Sequence, residues 1–235
     1  MPVAPVLTVC DVAFEQDERL ILRDIGFALT PGEWTMAMGP PGAGKTTLLR
    51  LVANACAPTH GAVMRAGAVA FAPNAATLDR DKTARDLVAD AMGGATEQAA
   101  ALLEDLGLGA YLAHEPFRLS RGCARRLEIA VALGAGPAVL CLDDPFSPLD
   151  RAARAATASV LRRAARARGL AVLMVCNDPA DALRHADQIV ALTPGPGATV
   201  AGLYRNAPRP GASDAALKRA PLYTTLENAL WDQTR

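Results

Sequence analysis

The chain has 235 residues, 51% of them hydrophobic and 20% charged, with 24 Lys and Arg against 24 Asp and Glu. That length allows one large domain, or a domain with a subdomain, around a full core, and the composition excludes a disordered chain. A net charge of zero supplies no basic field for nucleic acid, so any polyanion must be held locally.

The N-terminus, Met1 to Val9, has no basic region ahead of an apolar one, which argues against a secretory signal. Leu7 to Val9 is the first β-rich run and Thr35 to Met38 the second. The second leads into Gly39-Pro40-Pro41-Gly42-Ala43-Gly44-Lys45-Thr46, which satisfies G-x-x-x-x-G-K-[ST] at each fixed position. A helical pattern, Thr46 to Ala53, follows, so strand, loop and helix stand in the order the motif requires. Such a loop turns its backbone N–H groups inward around phosphate oxygens at the positive end of a helix dipole. Gly39, Pro40, Pro41, Gly42, Ala43 and Gly44, with Lys45, Thr46 and Thr47, are therefore the expected nucleotide-binding residues. Lys45 can reach the β- and γ-phosphates, and the Thr46 hydroxyl can bind magnesium.

Val69 to Phe71 is the next strand, followed by Ala72-Pro73-Asn74. From Leu78 to Phe117 strand signals vanish and two helical patterns appear, Ala84 to Met92 and Thr96 to Leu106, separated by Gly93 and Gly94. An all-helical insertion between two strands reads as a subdomain, with bounds of 75–135. Val139 to Leu142 is a buried strand ending in Asp143, which would orient the metal through its water shell. Asp144 stands where a general base or water-orienting carboxylate would be. Arg151 to Arg168 is a breaker-free Ala/Arg helix with Gly169 as its C-cap. Val172 to Cys176 and Ile189 to Leu192 are further strands. Ala138 to Leu142 and Leu170 to Cys176, almost continuously apolar, are expected at the centre of a mainly parallel sheet in an α/β fold. From Thr193 onward come Pro194, Pro196, Pro208 and Pro210 and one helical pattern, Leu222 to Trp231, making 194–235 a C-terminal extension.

The longest near-apolar stretch, Val131 to Leu142, is broken by two glycines and a proline, and falls short of the ~20 residues a membrane helix needs. Five cysteines, Cys10, Cys56, Cys123, Cys141 and Cys176, include no C-x-x-C pair, so neither a zinc site nor a disulfide framework is indicated. A reducing, cytoplasmic setting is the expectation.

In motif order and spacing the chain resembles the nucleotide-binding subunits of ABC transporters over nearly its whole length. The residues that carry the resemblance are the Gly39 loop, Leu119-Ser120-Arg121-Gly122-Cys123, Leu142-Asp143-Asp144-Pro145-Phe146-Ser147-Pro148-Leu149-Asp150, and Val175-Cys176-Asn177-Asp178. They are similar to that family's L-S-G-G-Q signature, Walker B strand with D-E-P, D-loop ending in L-D, and switch segment T-H-D. The resemblance implies a P-loop NTPase of the ABC ATPase fold, a single domain over 1–235. That fold has a mainly parallel sheet core, N-terminal antiparallel strands and a helical signature subdomain. It also implies ATP and Mg2+ as cofactors, Ser120 and Gly122 as groups holding the γ-phosphate of the opposite subunit's nucleotide, and Asp150 at the dimer interface. Asn74 takes the place of the Q-loop glutamine. The implied metal set is Thr46, Asn74 and Asp143, and the implied catalytic set Asp144, Asn177 and Asn74.

The same resemblance implies a head-to-tail dimer, with the homodimer favoured, membrane permease subunits as partners, and indirectly a periplasmic substrate-binding protein. The place of action would be the inner face of the plasma membrane. Nucleic acid is not expected: members with long coiled coils are excluded by the short distance from Asn74 to Ser120, and members with two ATPase units by the single P-loop. Asp144-Pro145-Phe146, Asp181-Ala182-Leu183 with Ala186-Asp187, and Pro208-Arg209-Pro210 are similar to the taurine, alkanesulfonate and nitrate importer branch. The haem-exporter ATPases are the alternative within transport, and a nucleotide-binding structural or regulatory subunit with little or no hydrolysis is the alternative outside it.

The departures concern mechanism. Asp144 replaces a glutamate and withdraws its carboxylate by one methylene, where ~1 Å of misplacement can cost on the order of a hundredfold in rate. Asn177 replaces a histidine, keeping a hydrogen-bond donor but no titrating proton. Arg121 replaces the first signature glycine with a bulky cation, and Cys123 replaces the signature glutamine. Slow hydrolysis is the expectation. Gln16 falls at the adenine-stacking position, with Phe14 as an alternative that reads equally as a core-facing strand residue. His60, His114 and His185 lie outside every motif and read as surface or capping residues.

Overall fold

The strands in chain order are β1 (Leu7–Gln16), β2 (Arg19–Leu29), β3 (Trp34–Met38), β4 (His60–Arg65), β5 (Val69–Ala72), β6 (Val139–Leu142), β7 (Ala171–Val175), β8 (Gln188–Leu192) and β9 (Val200–Arg205). The helices are α1 (Lys45–Val52), α2 (Ala84–Ala91), α3 (Thr96–Asp105), α4 (Arg121–Gly134), α5 (Arg151–Arg168), α6 (Pro179–His185), α7 (Asp214–Lys218) and α8 (Pro221–Trp231). These come from a computed structural model that describes residues 3–74 and 78–231.

The main sheet has the order β5-β6-β7-β3-β8-β9, parallel throughout except for β9, which runs antiparallel to β8. A second, antiparallel sheet has the order β2-β1-β4. Strands β3, β6, β7 and β8 are buried at every residue. Their side chains alternate between two apolar clusters, as the period of two demands. Leu140, Leu142, Val172 and Met174 face the cluster shared with α2 to α6, while Val139, Cys141, Leu173 and Val175 face the cluster shared with α1 and the antiparallel sheet. Both faces of the sheet are covered, which explains why these strands read as continuous apolar runs.

Helices α2, α3 and α4 pack on one another and are inserted between β5 and β6. Thr83 caps α2 by accepting from the Asp86 N–H at 3.2 Å, and Gly169 ends α5 at φ 66°, a left-handed turn that favours glycine. Arg65 at the end of β4 donates to the carbonyls of Val52 at 2.8 Å and Leu51 at 2.5 Å, closing the C-terminus of α1 and fixing the antiparallel sheet to it.

Strands β2, β4 and β9 carry no clear signal of their own in the sequence. β2 begins with Arg19 and includes Arg23 and Asp24, β4 is mostly exposed, and β9 shows only one face half-buried, so each presents mixed polarity. β9 also makes the start of the C-terminal extension part of the main sheet. Helix α6 is short and opens on Pro179 at its first turn, with Asp178 accepting from the Ala180 N–H at 2.8 Å.

Candidate active site

Strands β5, β6, β7 and β3 are neighbours, and their carboxyl ends bring Asn74, Asp143, Asn177 and the Gly39 loop to one edge of the sheet. That is where open parallel sheets bind ligands. The loop after β3 turns through Gly42 at φ 80° and Gly44 at φ 76° into α1. The positive φ favours glycine at 44, and a Cβ there would also stand 2.8 Å from a terminal methyl of Leu22 on β2, which would have to shift. Leu48, Leu49, Leu51 and Val52 bury the far face of α1 and hold its N-terminus at the loop. Lys45 donates to the carbonyls of Gly39 at 2.7 Å and Pro40 at 2.9 Å. Burial lowers its pKa from the usual value, opposed chiefly by Asp143 and then by Asp144 and Cys176.

The Thr46 hydroxyl donates to Asp143 Oδ2 at 2.9 Å, and Asp143 is buried at the end of β6. A hydroxyl and a carboxylate held together at a helix N-terminus fit a magnesium ion that takes its other ligands from phosphate and water. Among the described residues no group of three His, Cys, Asp or Glu side chains could hold a metal alone. Asn74 is exposed just after β5 and makes no side-chain hydrogen bond among the described residues.

Asp144 has φ 47°, in the left-handed region that Asp tolerates better than most side chains. Asn177 Nδ2 donates to Asp144 Oδ2 at 3.4 Å, so these two candidates are adjacent. Burial raises the Asp144 pKa and the nearby Asp143 carboxylate adds to it, while Arg125, the Asn177 hydrogen bond and Arg154 work against them. A carboxylate so raised is a better proton acceptor than an exposed one. Cys176 Sγ donates to the Asp178 carbonyl at 3.2 Å and Asp178 caps α6, which together hold the turn carrying Asn177.

The signature segment opens α4. Ser120 is its N-cap, accepting from the Cys123 N–H at 3.3 Å, and Ser120 and Arg121 are both exposed. No hydrogen bond joins Ser120, Arg121 or Gly122 to the Gly39 loop among the described residues. Gly122 has a local reason to lack a side chain, since a Cβ there would lie 3.1 Å from the Pro148 carbonyl. Cys123 is buried in the apolar cluster and accepts from Arg126 at 3.3 Å, a packing position. Asp150 caps α5, accepting from the Ala153 N–H at 2.8 Å.

Two arginines escaped the sequence reading because neither lies in a motif letter. Arg125 is buried and bonds to backbone carbonyls at the ends of β5 and β6. Arg154 on α5 donates to the Phe146 carbonyl at 3.2 Å and to Asp181 at 2.6 Å, linking the segment after Asp144 to α6. His185 corrects an expectation: it is 6% exposed, not a surface residue, with its ring 6.1 Å from that of Trp34 and 5.5 Å from that of Phe146. Burial, with Arg184, Arg162 and Arg154 nearby, lowers its pKa to about 4. As the last residue of α6 it faces the core, which a lone histidine beside Arg184 does not reveal. His60 and His114 are exposed. Phe14 is half-buried against the cluster beneath the antiparallel sheet, while Gln16 is exposed at the end of β1.

A family profile described as ABC transporter matches residues 22–147. The aliphatic sulfonates import ATP-binding protein of Rhodococcus jostii (strain RHA1) is 33% identical over 193 residues, covering 80% of this chain and 79% of that protein. The taurine import ATP-binding protein of Escherichia coli O157:H7 is 32% identical over 224 residues, covering 88% of each. Among solved structures, a dimeric ATP-binding cassette in a post-hydrolysis state with ADP and phosphate superposes with a TM-score of 0.76 at 21% identity. That match covers 86% of this chain and 99% of the other, and it supports the fold alone.

Proposed function

Because this chain belongs to the ABC transporter ATP-binding family, we propose that it drives import of a small organic anion or nitrogen- or sulfur-containing compound. It is an ATP-binding subunit and an ATPase of an ABC transporter. The finer reading is that MgATP binds at the Gly39 to Thr47 segment, with Thr46 and Asp143 on the magnesium side and Asn74 joining them when its loop approaches. Asp144 accepts a proton from, or orients, the attacking water, and Asn177 positions the γ-phosphate. Ser120 and Gly122 serve the nucleotide of a second copy of the chain. The observation that carries this reading is the Thr46–Asp143 hydrogen bond at the foot of a complete phosphate loop.

The permease is proposed to dock near Asn74 and Pro116. Beside Pro116, Phe117 is 61% exposed and so accessible to a partner. No helix among the described residues is long and apolar enough to cross a membrane, in keeping with a subunit that reaches the inner face through its partner. The importer relatives support the solute class, and a periplasmic binding protein would deliver that solute.

Arg121, Asp144 and Asn177 also favour a second reading, a subunit that closes on ATP and turns it over little. Phosphate release measured beside equilibrium ATP binding separates the two. Binding with magnesium-dependent release supports the ATPase motor, whereas binding without release, with or without permease, supports the regulatory subunit. Uptake of taurine and alkanesulfonates into vesicles carrying the permease tests the solute class.

A further inference from the structure

Arg125 is 3% exposed, yet its guanidinium is charged and lies on the signature helix α4. One terminal nitrogen donates to the Pro73 carbonyl at 2.6 Å and to Glu128 at 2.7 Å. The other donates to the Asp143 carbonyl at 2.7 Å and the Ala72 carbonyl at 3.3 Å. Each of these carbonyls is one peptide bond from a group of the candidate site or from its neighbour. The Pro73 carbonyl is joined to Asn74. The Asp143 carbonyl belongs to the peptide plane whose rotation about Asp144 is the left-handed φ of 47°. Holding that carbonyl fixes the peptide plane from which Asp144 turns into a backbone conformation that most side chains resist. On the other side, Arg125 is five positions beyond Ser120, about 7 Å along one helix, so a shift at its head moves the signature residues with it.

We propose that Arg125 is a positioning residue that couples the groups around its own chain's nucleotide to the signature residues the same chain offers to its partner. This rests on the head-to-tail reading above. Asn74 and Asp144 respond to nucleotide bound at the Gly39 loop, and Ser120 and Gly122 act on the other nucleotide, so occupancy of one site biases the geometry of the second. The chemistry favours arginine for this task, because its planar fork bonds several carbonyls at once, whereas a lysine ammonium is a single point on a flexible stem. A buried ion pair is also a poor source of stability compared with apolar residues of the same volume. The Arg125–Glu128 pair, at 3% and 10% exposure, is better explained by what it holds than by what it adds to folding.

The test is the dependence of phosphate release on MgATP for the full chain, measured above the dimerisation concentration, beside equilibrium binding of a fluorescent ATP analogue. The wild type should show a Hill coefficient above 1, toward the limit of about 2 for two sites. In Arg125→Gln combined with Glu128→Gln, which leaves no unpaired charge, it should fall to about 1 with nucleotide affinity changed by less than about twofold. Arg125→Lys should be intermediate. A folded double variant that keeps the wild-type Hill coefficient overturns the proposal, and so does a loss of affinity that accounts for the whole effect. If the double variant does not fold, Arg125→Lys decides: an intermediate coefficient supports the coupling and an unchanged one refutes it. A wild type without cooperativity and without an ATP-dependent dimer overturns the head-to-tail reading itself, an outcome distinct from the others.

Discussion

At the scale of single residues, Lys45 lies at the rim of its own loop, its amine on the carbonyls of Gly39 and Pro40 and its charge attracted by Asp143 and Asp144. Lys45→Ala removes no core contact and is expected to abolish MgATP binding, measured by equilibrium titration, with thermal stability unchanged. Asp144→Glu restores the missing methylene and is expected to raise phosphate release about tenfold or more, with a further gain when Asn177→His supplies a titrating partner. Because Asp144 is left-handed, the glutamate should also cost about 1 kcal/mol of stability in denaturant titration. Equal or lower rates would show a site adapted to its own side chains.

His185 makes a pH prediction with a definite sign. Its folded pKa of about 4 lies below the ordinary 6.5, so the folded state prefers the neutral ring. The stability this contributes is complete above pH 6.5 and is lost as pH falls from 6.5 through about 4, a loss of about 3 kcal/mol at most. His185→Phe keeps the ring between Trp34 and Phe146 and removes the proton. The variant's melting temperature should therefore fall less steeply than the wild type's across that window.

At the scale of elements, α5 begins at Asp150 and ends at Gly169, and both ends carry a separable claim. Asp150 accepts from the Ala153 N–H, so Asp150→Ala should destabilise by about 1 kcal/mol and Asp150→Ser by only a few tenths. If capping is the whole role, phosphate release per folded molecule is the same in both. If Asp150 also meets the partner subunit, Asp150→Ser loses activity while keeping the cap. The turn of Pro116 to Arg118 ahead of α4 carries the exposed Phe117, whose ring the Arg118 guanidinium faces at 5.5 Å. Phe117→Ala is expected to leave ATP binding unchanged and to weaken permease-stimulated hydrolysis by about tenfold, the effect of losing one buried aromatic anchor.

For the whole molecule, the strand order places the phosphate loop and Asp143 two strands apart, with β7 and its Asn177 between them. One chain thus brings the Gly39 loop, Asp143 and Asn177 to one end of the sheet, while Ser120 and Arg121 are exposed at the head of α4. An Asp144→Asn variant with MgATP should sediment as a dimer where the apo protein is a monomer, and permease should strengthen the association. A strictly monomeric protein under all conditions would point to a second, different ATPase chain.

Much of this was legible before any fold was known, because the local requirements are strict. A phosphate loop needs glycines, a lysine and a hydroxyl at set spacing, and strands buried on both faces must be apolar at every position, so Gly39 to Thr46, β6 and β7 stand out in the chain itself. Strands β2, β4 and β9 do not, since their pairing comes from backbone hydrogen bonds to distant partners while their side chains remain mixed. The depth of His185, the packing role of Cys123 and the four contacts of Arg125 likewise depend on which elements meet. Residue type and spacing specify what a local turn can bind. Burial, pKa and long-range hydrogen bonds are properties of neighbours that only the folded chain brings together.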